Sequence, residues 1–262
     1  MMKSNLTIYP LTDFDGLRQA GRLAADTLDY ITDFVEPGVT TGHLDDLLER
    51  FMRDHGGIPA NIGYHGFPKA SCISPNHIVC HGIPSEHKVL ESGDIINIDI
   101  TVILDGWYGD TSRMYYVGKP SVKAKRLVEN TYDTMMAGIR AAKPGATLGD
   151  LGYAMECEAL KKGYSVVEDY CGHGIGRVYH GLPNVLNYGI PGQGIKLVPG
   201  LVFTVEPMVN VGKSETLTLS DGWTVITKDR TLSAQFEHTI GITPDGYEIF
   251  TLSPKGYTKP PY

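Results

Sequence analysis

The sequence predicts an α+β fold of two related halves, each a helix pair followed by antiparallel sheet. Three observations carry that expectation. Segments with apolar residues at helical spacing occur in pairs, the runs that follow them have strand character, and one stretch of the chain repeats. EPGVTTGHLDDL begins at Glu36 and KPGATLGDLGYA at Lys143, matching Pro-Gly, a small aliphatic residue, Thr, Gly and Leu at a constant offset of 107, from Pro37 to Pro144. The seam between two such halves is a natural place for a site.

After a short arm of residues 1–11, LTDFDGLRQAGRLAADTLDYITDFV places Leu17, Ala20, Leu23, Ala24, Leu28 and Ile31 at helical spacing, and Pro37-Gly38 stops the helix. A second helix starts near Thr41, uses Leu44, Leu47, Leu48, Phe51 and Met52, and ends at Gly56-Gly57. Residues 59–84 are rich in Gly and Pro and are expected to be mostly a binding loop carrying Tyr64, His65, Phe67, Cys72, Cys80 and His81. Beyond Pro120, SVKAKRLVENTYDTMMAGIRAA predicts a third helix, stopped by Lys143-Pro144-Gly145, and ATLGDLGYAMECEALKKG a fourth. In the last third, LVFTVEPMVN, LTLSDGWTVIT and SAQFEHTIGITPDGYEIF are short runs parted by turn signals at Asp221-Gly222 and Pro244-Asp245-Gly246, which predicts antiparallel strands. The closing SPKGYTKPPY is expected to be a loosely held tail.

Composition narrows the class. With 262 residues, 42% of them hydrophobic, the chain can bury a substantial core. The 23 Lys+Arg against 30 Asp+Glu give a formal charge of −7, which argues against a protein that grips nucleic-acid backbones, so no specific DNA binding is expected. Cys72, Cys80, Cys157 and Cys171 lack the density of a disulfide scaffold and contain no CxxC pair, so a reduced, cytoplasmic setting is expected. The start, MMKSNLTIYPLTDFDG, has no apolar signal-peptide core, and no apolar run is long enough for a bilayer, so no membrane association is expected.

The chemistry gathers around DIINIDITVILDGWYGDTSR, residues 94–113. Asp105-Gly106 between two strand-like runs predicts a type I′ hairpin, in which Leu104 faces Trp107, Thr101 faces Asp110 and Asp99 faces Ser112. Asp99, Thr101 and Asp110 then share one face of the sheet, and Ile98, Ile100 and Val102 take the other. Carboxylates that close, in a partly buried setting, need a proton or a cation between them. A solvated acidic face is the competing reading, and these residues alone do not choose.

Further candidates bear on that choice. His173 in CGHGIG sits between glycines that permit close backbone approach, and either a ligating or a structural histidine fits the loop. Glu206 in VFTVEPM and Glu237 in SAQFEHTI stand in strands otherwise written for burial, where an unpaired glutamate costs several kcal/mol. Arg113, Arg177, Lys228 or Arg230 could pair with them internally; the alternative is metal. Asp99, Asp110, His173, Glu206 and Glu237 together offer one nitrogen and four carboxylates, too much charge for one small ion and suited to two divalent ions sharing bridging carboxylates. The chain has no HExxH or Cys-rich zinc motif and no G-x-S-x-G nucleophile elbow.

NIDITVILDGWYGDTSRMY, YCGHGIGRVYH, FTVEPM and DGWTVITKDRTLSAQFEHTIGIT together resemble type I methionine aminopeptidase, over roughly residues 12–252. The resemblance implies the pita-bread fold, with two pseudo-symmetric halves around a curved antiparallel sheet and helices on its outer face, as a single catalytic metallopeptidase domain spanning residues 1–262. It implies removal of the initiator methionine from nascent proteins whose second residue is small, by water activated at a dinuclear metal site. By that matching, Asp99 is a bidentate ligand of one metal, Asp110 and Glu237 are bridges, and His173 and Glu206 bind the other. Glu206 also acts in catalysis with the two unligated histidines, His81 and His180. Tyr64, Phe67, Cys72, Tyr179 and Trp223 form the methionine pocket, and Asn76 and Ser233 help form a monovalent-cation site.

The implied cofactors are two divalent ions drawn from Fe²⁺, Mn²⁺, Co²⁺ and Zn²⁺, together with a monovalent cation. The implied partners are nascent N-termini near the ribosome exit, met by a cytoplasmic monomer. Relatives often carry Tyr at Phe67, Phe at Tyr179 and Cys at Asn61, which leaves the finer pocket preference open. Two further readings stand beside this one. An Xaa-Pro aminopeptidase or prolidase-like peptidase shares the ligands, but Trp223 and the Tyr64/Phe67/Cys72 loop suit an unbranched thioether. A noncatalytic peptide-binding module of the same fold would be expected to have lost ligands, and all five are present.

Overall fold

The computed structural model describes residues 6–262, so the arm expected over residues 1–11 lies partly outside the described part. Four α-helices form where the apolar spacing places them: α1 (Phe14–Ile31), α2 (Thr41–Asp54), α3 (Val122–Ala141) and α4 (Leu148–Lys161). All six positions that define the α1 stripe are buried. Thr40 and Thr147 cap α2 and α4 by accepting from the amides of His43 and Asp150, which otherwise lack a helical partner.

The strands run β1 (Ile58–Pro59), β2 (Ser71–Pro75), β3 (Ile78–Cys80), β4 (Ile95–Leu104), β5 (Trp107–Tyr116), β6 (Ser165–Val166), β7 (Gly172–Gly174) and β8 (Gly181–Val185). They continue as β9 (Val202–Val205), β10 (Met208–Asn210), β11 (Thr216–Thr218), β12 (Val225–Thr227), β13 (Ser233–Gln235), β14 (Glu237–Thr243) and β15 (Gly246–Ile249). The main sheet is antiparallel in the order β1-β4-β5-β14-β9-β7-β8, with β2 also on β4 and β15 on β14. It is curved and flanked by helices, as the pita-bread expectation requires. Smaller sheets, β13-β10-β6 and β11-β12-β3, complete the fold.

The hairpin forms in the predicted register. Leu104 pairs with Trp107, Thr101 with Asp110 and Asp99 with Ser112, and both turn residues, Asp105 and Gly106, have positive φ, at 50° and 75°. Ile98, Ile100 and Val102 pack under α1 and α2 against Leu28, Leu44 and Leu48. In the second half, Met135, Ile139, Leu151 and Met155 of α3 and α4 cover Phe203, Val205, Phe236 and Ile240. With the helices on one face, alternation along the strands turns the acids toward the other.

The repeat is written into the hydrogen bonds at the same 107 spacing. Gly38 N donates to Leu90 O at 2.8 Å, and Gly145 N to Leu197 O at 3.0 Å. Leu90 N returns to Val39 O and Leu197 N to Ala146 O, each at 2.8 Å. The halves meet where β5 pairs with β14, and there Thr111 Oγ1 donates to Glu237 O while Thr239 Oγ1 donates to Asp110 O, both at 2.7 Å. Asp99 and Glu206 are themselves 107 apart, so the repeat sets one acid from each half beside this seam.

Residues 59–84 are mostly irregular, as expected, but two strands form within them: β2 pairs with β4 along five residues and β3 pairs with β12. One expectation needs correction: the C-terminal segment is not loosely held. Tyr262 Oη donates to Met114 O at 3.0 Å and its ring lies 5.4 Å from Tyr115, Pro260 is buried, and Ser253 Oγ donates to Asp29 at 2.8 Å. Among the described residues no helix is long and apolar enough to cross a membrane.

Asp29 of α1 also forms a buried ion pair with Arg113 of β5, tying helix, sheet and tail together. Asp29→Ala leaves the guanidinium buried without its counter-charge and should lower the unfolding free energy by about 3–5 kcal/mol. Urea titration measures this, and a loss under about 1 kcal/mol, the range of an exposed pair, would contradict it.

Candidate metal centre and substrate cleft

On the helix-free side of the sheet lies a cavity of about 690 Å³, whose lining contains Asp99, Asp110, His173, Glu206 and Glu237. Each arrives from a different place: Asp99 from β4, Asp110 from β5, His173 from β7, Glu206 just beyond β9, and Glu237 at the start of β14. Ligand atoms of Asp110, His173 and Glu237 lie within 4.8 Å of one another. His173 Nε2 is 3.5 Å from Asp110 Oδ2 and 3.6 Å from Glu206 Oε1.

His173 reaches this point because β7 is squeezed between β8 and β9. A Cβ at Gly172 would sit 2.4 Å from Thr204 O, and one at Gly174 would sit 2.0 Å from Leu182 O, so only glycine fits on either side. The His173 amide donates to Thr204 Oγ1 at 2.9 Å, and Nδ1 lies 3.2 Å from Gly174 O. Donation from Nδ1–H to that carbonyl leaves the Nε2 lone pair facing the acids, the tautomer a metal ligand needs.

The electrostatics are those of uncompensated negative charge. Burial pushes Asp99 up to about 7 and Glu206 up to about 8. Burial, then repulsion among the acids, pushes Asp110 and Glu237 well above the carboxylate range. Burial holds His173 down to about 3, with His180 adding to the effect. The predicted basic partners are elsewhere: Arg113 pairs with Asp29, and Arg177 stacks on Trp107 at 3.8 Å and donates to Asp105 O. Among the described residues no lysine or arginine pairs with Glu206 or Glu237, which removes the internal salt-bridge reading. Four carboxylates facing a neutral imidazole fit divalent cations in both charge and donor type.

The remaining predicted residues divide cleanly. His81, His180, Tyr64, Phe67, Cys72, Tyr179 and Trp223 all line the same cavity. Phe67 meets Trp223 edge-on at 5.1 Å, and His81 lies 6.0 Å from the same indole. His180 stacks on Tyr179 at 4.0 Å, and its Nδ1 is 2.7 Å from Tyr64 Oη. Burial lowers His180 to about 4, with His81 as the next contributor, and burial lowers His81 as well. Asn76 and Ser233 lie outside the cavity lining, joined by Ser233 N donating to Asn76 O at 2.8 Å.

Sequence reading assigned no role to Thr204 and Gln235. Thr204 Oγ1 donates to Glu206 Oε1 at 2.6 Å, and Gln235 Nε2 approaches Glu206 Oε2 at 3.4 Å. Each stands two residues before one of the acids, on or at the end of a strand, so period-two alternation is the available signal. Tyr170, Asn184 and Met208 also line the cavity, and no sequence pattern singles them out. His238, beside Glu237, points to the opposite side and bonds Thr251 Oγ1 at 2.8 Å.

A curved antiparallel sheet whose open face gathers such acids and a neutral histidine defines a metal-dependent hydrolase. The chain belongs to metallopeptidase family M24, whose model matches residues 15–244, and the resemblance to type I methionine aminopeptidases is borne out. It is 60% identical over 258 residues to a methionine aminopeptidase of Rickettsia prowazekii, covering 98% of this chain and 99% of the relative. The crystal structure of methionine aminopeptidase from that organism matches with a TM-score of 0.93 at 59% identity, over 95% of this chain and all of that one. The methionine aminopeptidase structure from Thermotoga maritima matches with a TM-score of 0.92 at 36% identity, over 94% of this chain and 99% of that one.

The acids generate a pH dependence with a definite sign. Carboxyls whose folded-state pKa is raised bind extra protons in the folded state, so they withdraw stability as pH rises toward that pKa. Histidines with lowered folded-state pKa act oppositely, but only below about 6.5, where unfolded histidine is charged. Metal-free protein should therefore lose stability from about pH 6.5 to about 8, the window that Asp99 at about 7 and Glu206 at about 8 still titrate in. Adding Mn²⁺ should remove the slope; denaturant melts across that range, with and without metal, test both, and a flat metal-free profile would contradict the charge reading.

Proposed function

We propose that this protein removes N-terminal methionine from peptides and nascent proteins whose second residue is small, using two divalent ions held by Asp99, Asp110, His173, Glu206 and Glu237. The observation that carries the reading is one cavity in which that acid and histidine set adjoins an aromatic and thiol-lined pocket. Two ions of charge +2 balance four carboxylates, and relatives of nearly equal length bear the name methionine aminopeptidase. We place the whole chain as one catalytic domain, acting as a cytoplasmic monomer on N-termini near the ribosome exit. Fe²⁺, Mn²⁺, Co²⁺ and Zn²⁺ all suit the donors.

Divalent ions held there supply Lewis acidity, which brings water to nucleophilic form near neutral pH and polarises the scissile carbonyl. The residues do the rest. Phe67, Trp223, Cys72, Tyr64 and Tyr179 enclose an unbranched thioether, for which soft aromatic contacts are favourable. Glu206, held at one oxygen by Thr204, accepts a proton from the attacking water and delivers it to the leaving amine. His180 and His81 stay neutral near pH 7. With Tyr64 donating to His180 Nδ1, His180 carries its proton on Nε2 and can donate it to the oxyanion as charge develops. Asn76 and Ser233 are proposed for a monovalent cation, because Ser233 Oγ is buried without a hydrogen-bond partner.

With Mn²⁺ or Co²⁺ under reducing conditions, the protein should cleave Met-Ala-Ser faster than Ala-Pro-Ser; the reverse order would favour the prolidase-like reading. Across Met-X-Ser peptides, kcat/KM should fall roughly tenfold to hundredfold from Gly or Ala to Leu or Phe, the scale of forcing extra methylenes against packed groups. His180→Ala should reduce kcat by roughly 10²–10³, the range for loss of an oxyanion donor, while elemental analysis finds its metal content close to wild type. Loss of both ions in that variant would make His180 a ligand instead.

A further inference from the structure

A chain of polar contacts runs beneath the wall of the cleft, from the residues predicted to hold methionine to Asp110. Asn61 and Cys72 lie 3.7 Å apart, Nδ2 to Sγ; Asn61 Oδ1 is 3.2 Å from Tyr179 Oη; Tyr179 Oη is 2.7 Å from Thr101 Oγ1; and Thr101 Oγ1 is 2.8 Å from Asp110 Oδ1. Thr101 is wholly buried, and Asn61, Cys72 and Asp110 are nearly so, leaving little room for water to relieve a mismatch.

These contacts are not independent. Thr101 Oγ1 lies within hydrogen-bond distance of both Tyr179 Oη and Asp110 Oδ1 but carries a single proton, so the side chains on either side of it share one buried hydroxyl. Tyr179 Oη donates to Asn61 Oδ1, and Asn61 Nδ2 donates to Cys72 Sγ, which extends the chain to the far wall of the pocket.

We propose that this relay of contacts makes Tyr179 and Asn61 positioning residues for Asp110, so that the wall of the methionine pocket sets the orientation and donor strength of a metal-binding carboxylate. The inference rests on the metal site proposed above. Tyr179 contributes twice: its ring faces the cleft, and its hydroxyl, acting through Thr101, fixes which lone pairs of Asp110 stay free. Outer hydrogen bonds of this kind tune metal ligands, and their loss typically weakens metal affinity 10- to 100-fold.

The test is calorimetric titration of metal-free protein with Mn²⁺, supported by the visible absorption of the Co²⁺-loaded protein as a report on the ligand field. Thr101→Val should weaken Mn²⁺ binding about 10- to 100-fold, and Thr101→Ser should retain near wild-type affinity. Tyr179→Phe, which removes one oxygen and keeps the ring, should weaken it roughly fivefold, the scale of one neutral hydrogen bond, and should shift the Co²⁺ bands. Asn61→Ala, one link further away, should do less than Tyr179→Phe. The double variant Thr101→Val/Tyr179→Phe should bind no more weakly than Thr101→Val alone, because the two share one path. Unchanged affinity and bands in Tyr179→Phe, additive losses in the double variant, or a larger loss in Asn61→Ala would each overturn the relay. Wild-type protein that takes up no divalent ion would overturn the metal site and the relay together, an outcome distinct from the others.

Discussion

Negative charge crowded into one cleft is the constraint on which the rest of the structure depends. Asp110 and Glu237 are almost fully buried, Asp99 and Glu206 are half-buried and line the cavity, and no lysine or arginine among the described residues answers Glu206 or Glu237. Side chains that repel one another in a low-dielectric setting stay together only if the backbone that carries them is held by something else. Here that is the antiparallel ladder of β4, β5, β14 and β9, with its far face packed under four helices. The core stabilises the scaffold, and the scaffold holds the acids in an arrangement they would not adopt by themselves.

The two-halved construction explains how so many acids reach one point. Each half contributes a helix pair whose caps, Thr40 and Thr147, begin equivalent helices, and the main-chain bonds beside them repeat at the same spacing. Asp99 and Glu206 follow from the repeat. Asp110 and Glu237 stand on the two strands that join the halves, where threonines on each strand donate to the other strand's carbonyls. His173 is the exception to the symmetry. It depends on a three-residue strand flanked by glycines, because any side chain beside it would strike the neighbouring backbone.

Small polar groups refine this arrangement. Thr204 engages Glu206, Thr101 engages Asp110, and the Gly174 carbonyl engages His173, so three of the five candidate ligands have one atom committed and a defined face left free. The aromatic side of the cleft is bound into the same network through Tyr179 and His180. The residues predicted for the methionine pocket and the candidate metal ligands therefore share one hydrogen-bonded network, with Tyr179 2.7 Å from Thr101 and Thr101 2.8 Å from Asp110.

The sequence by itself determined the features that local rules control. Helical spacing located α1 to α4, Asp105-Gly106 set the hairpin and its register, period-two alternation put Asp99 and Asp110 on one face, and the offset of 107 announced two halves. The motifs carried the family. Only the tertiary structure excluded a salt bridge to lysine or arginine for Glu206 and Glu237, because Arg113 pairs instead with Asp29 of the helix layer. It also decided that Ser71–Pro75 and Ile78–Cys80 form strands and that the C-terminal segment is anchored, since both depend on partners more than ten residues away. The polar path from Cys72 through Asn61 to Asp110 belongs to the same class: its four contacts join residues from separate elements, and distance in space has no counterpart in spacing along the chain.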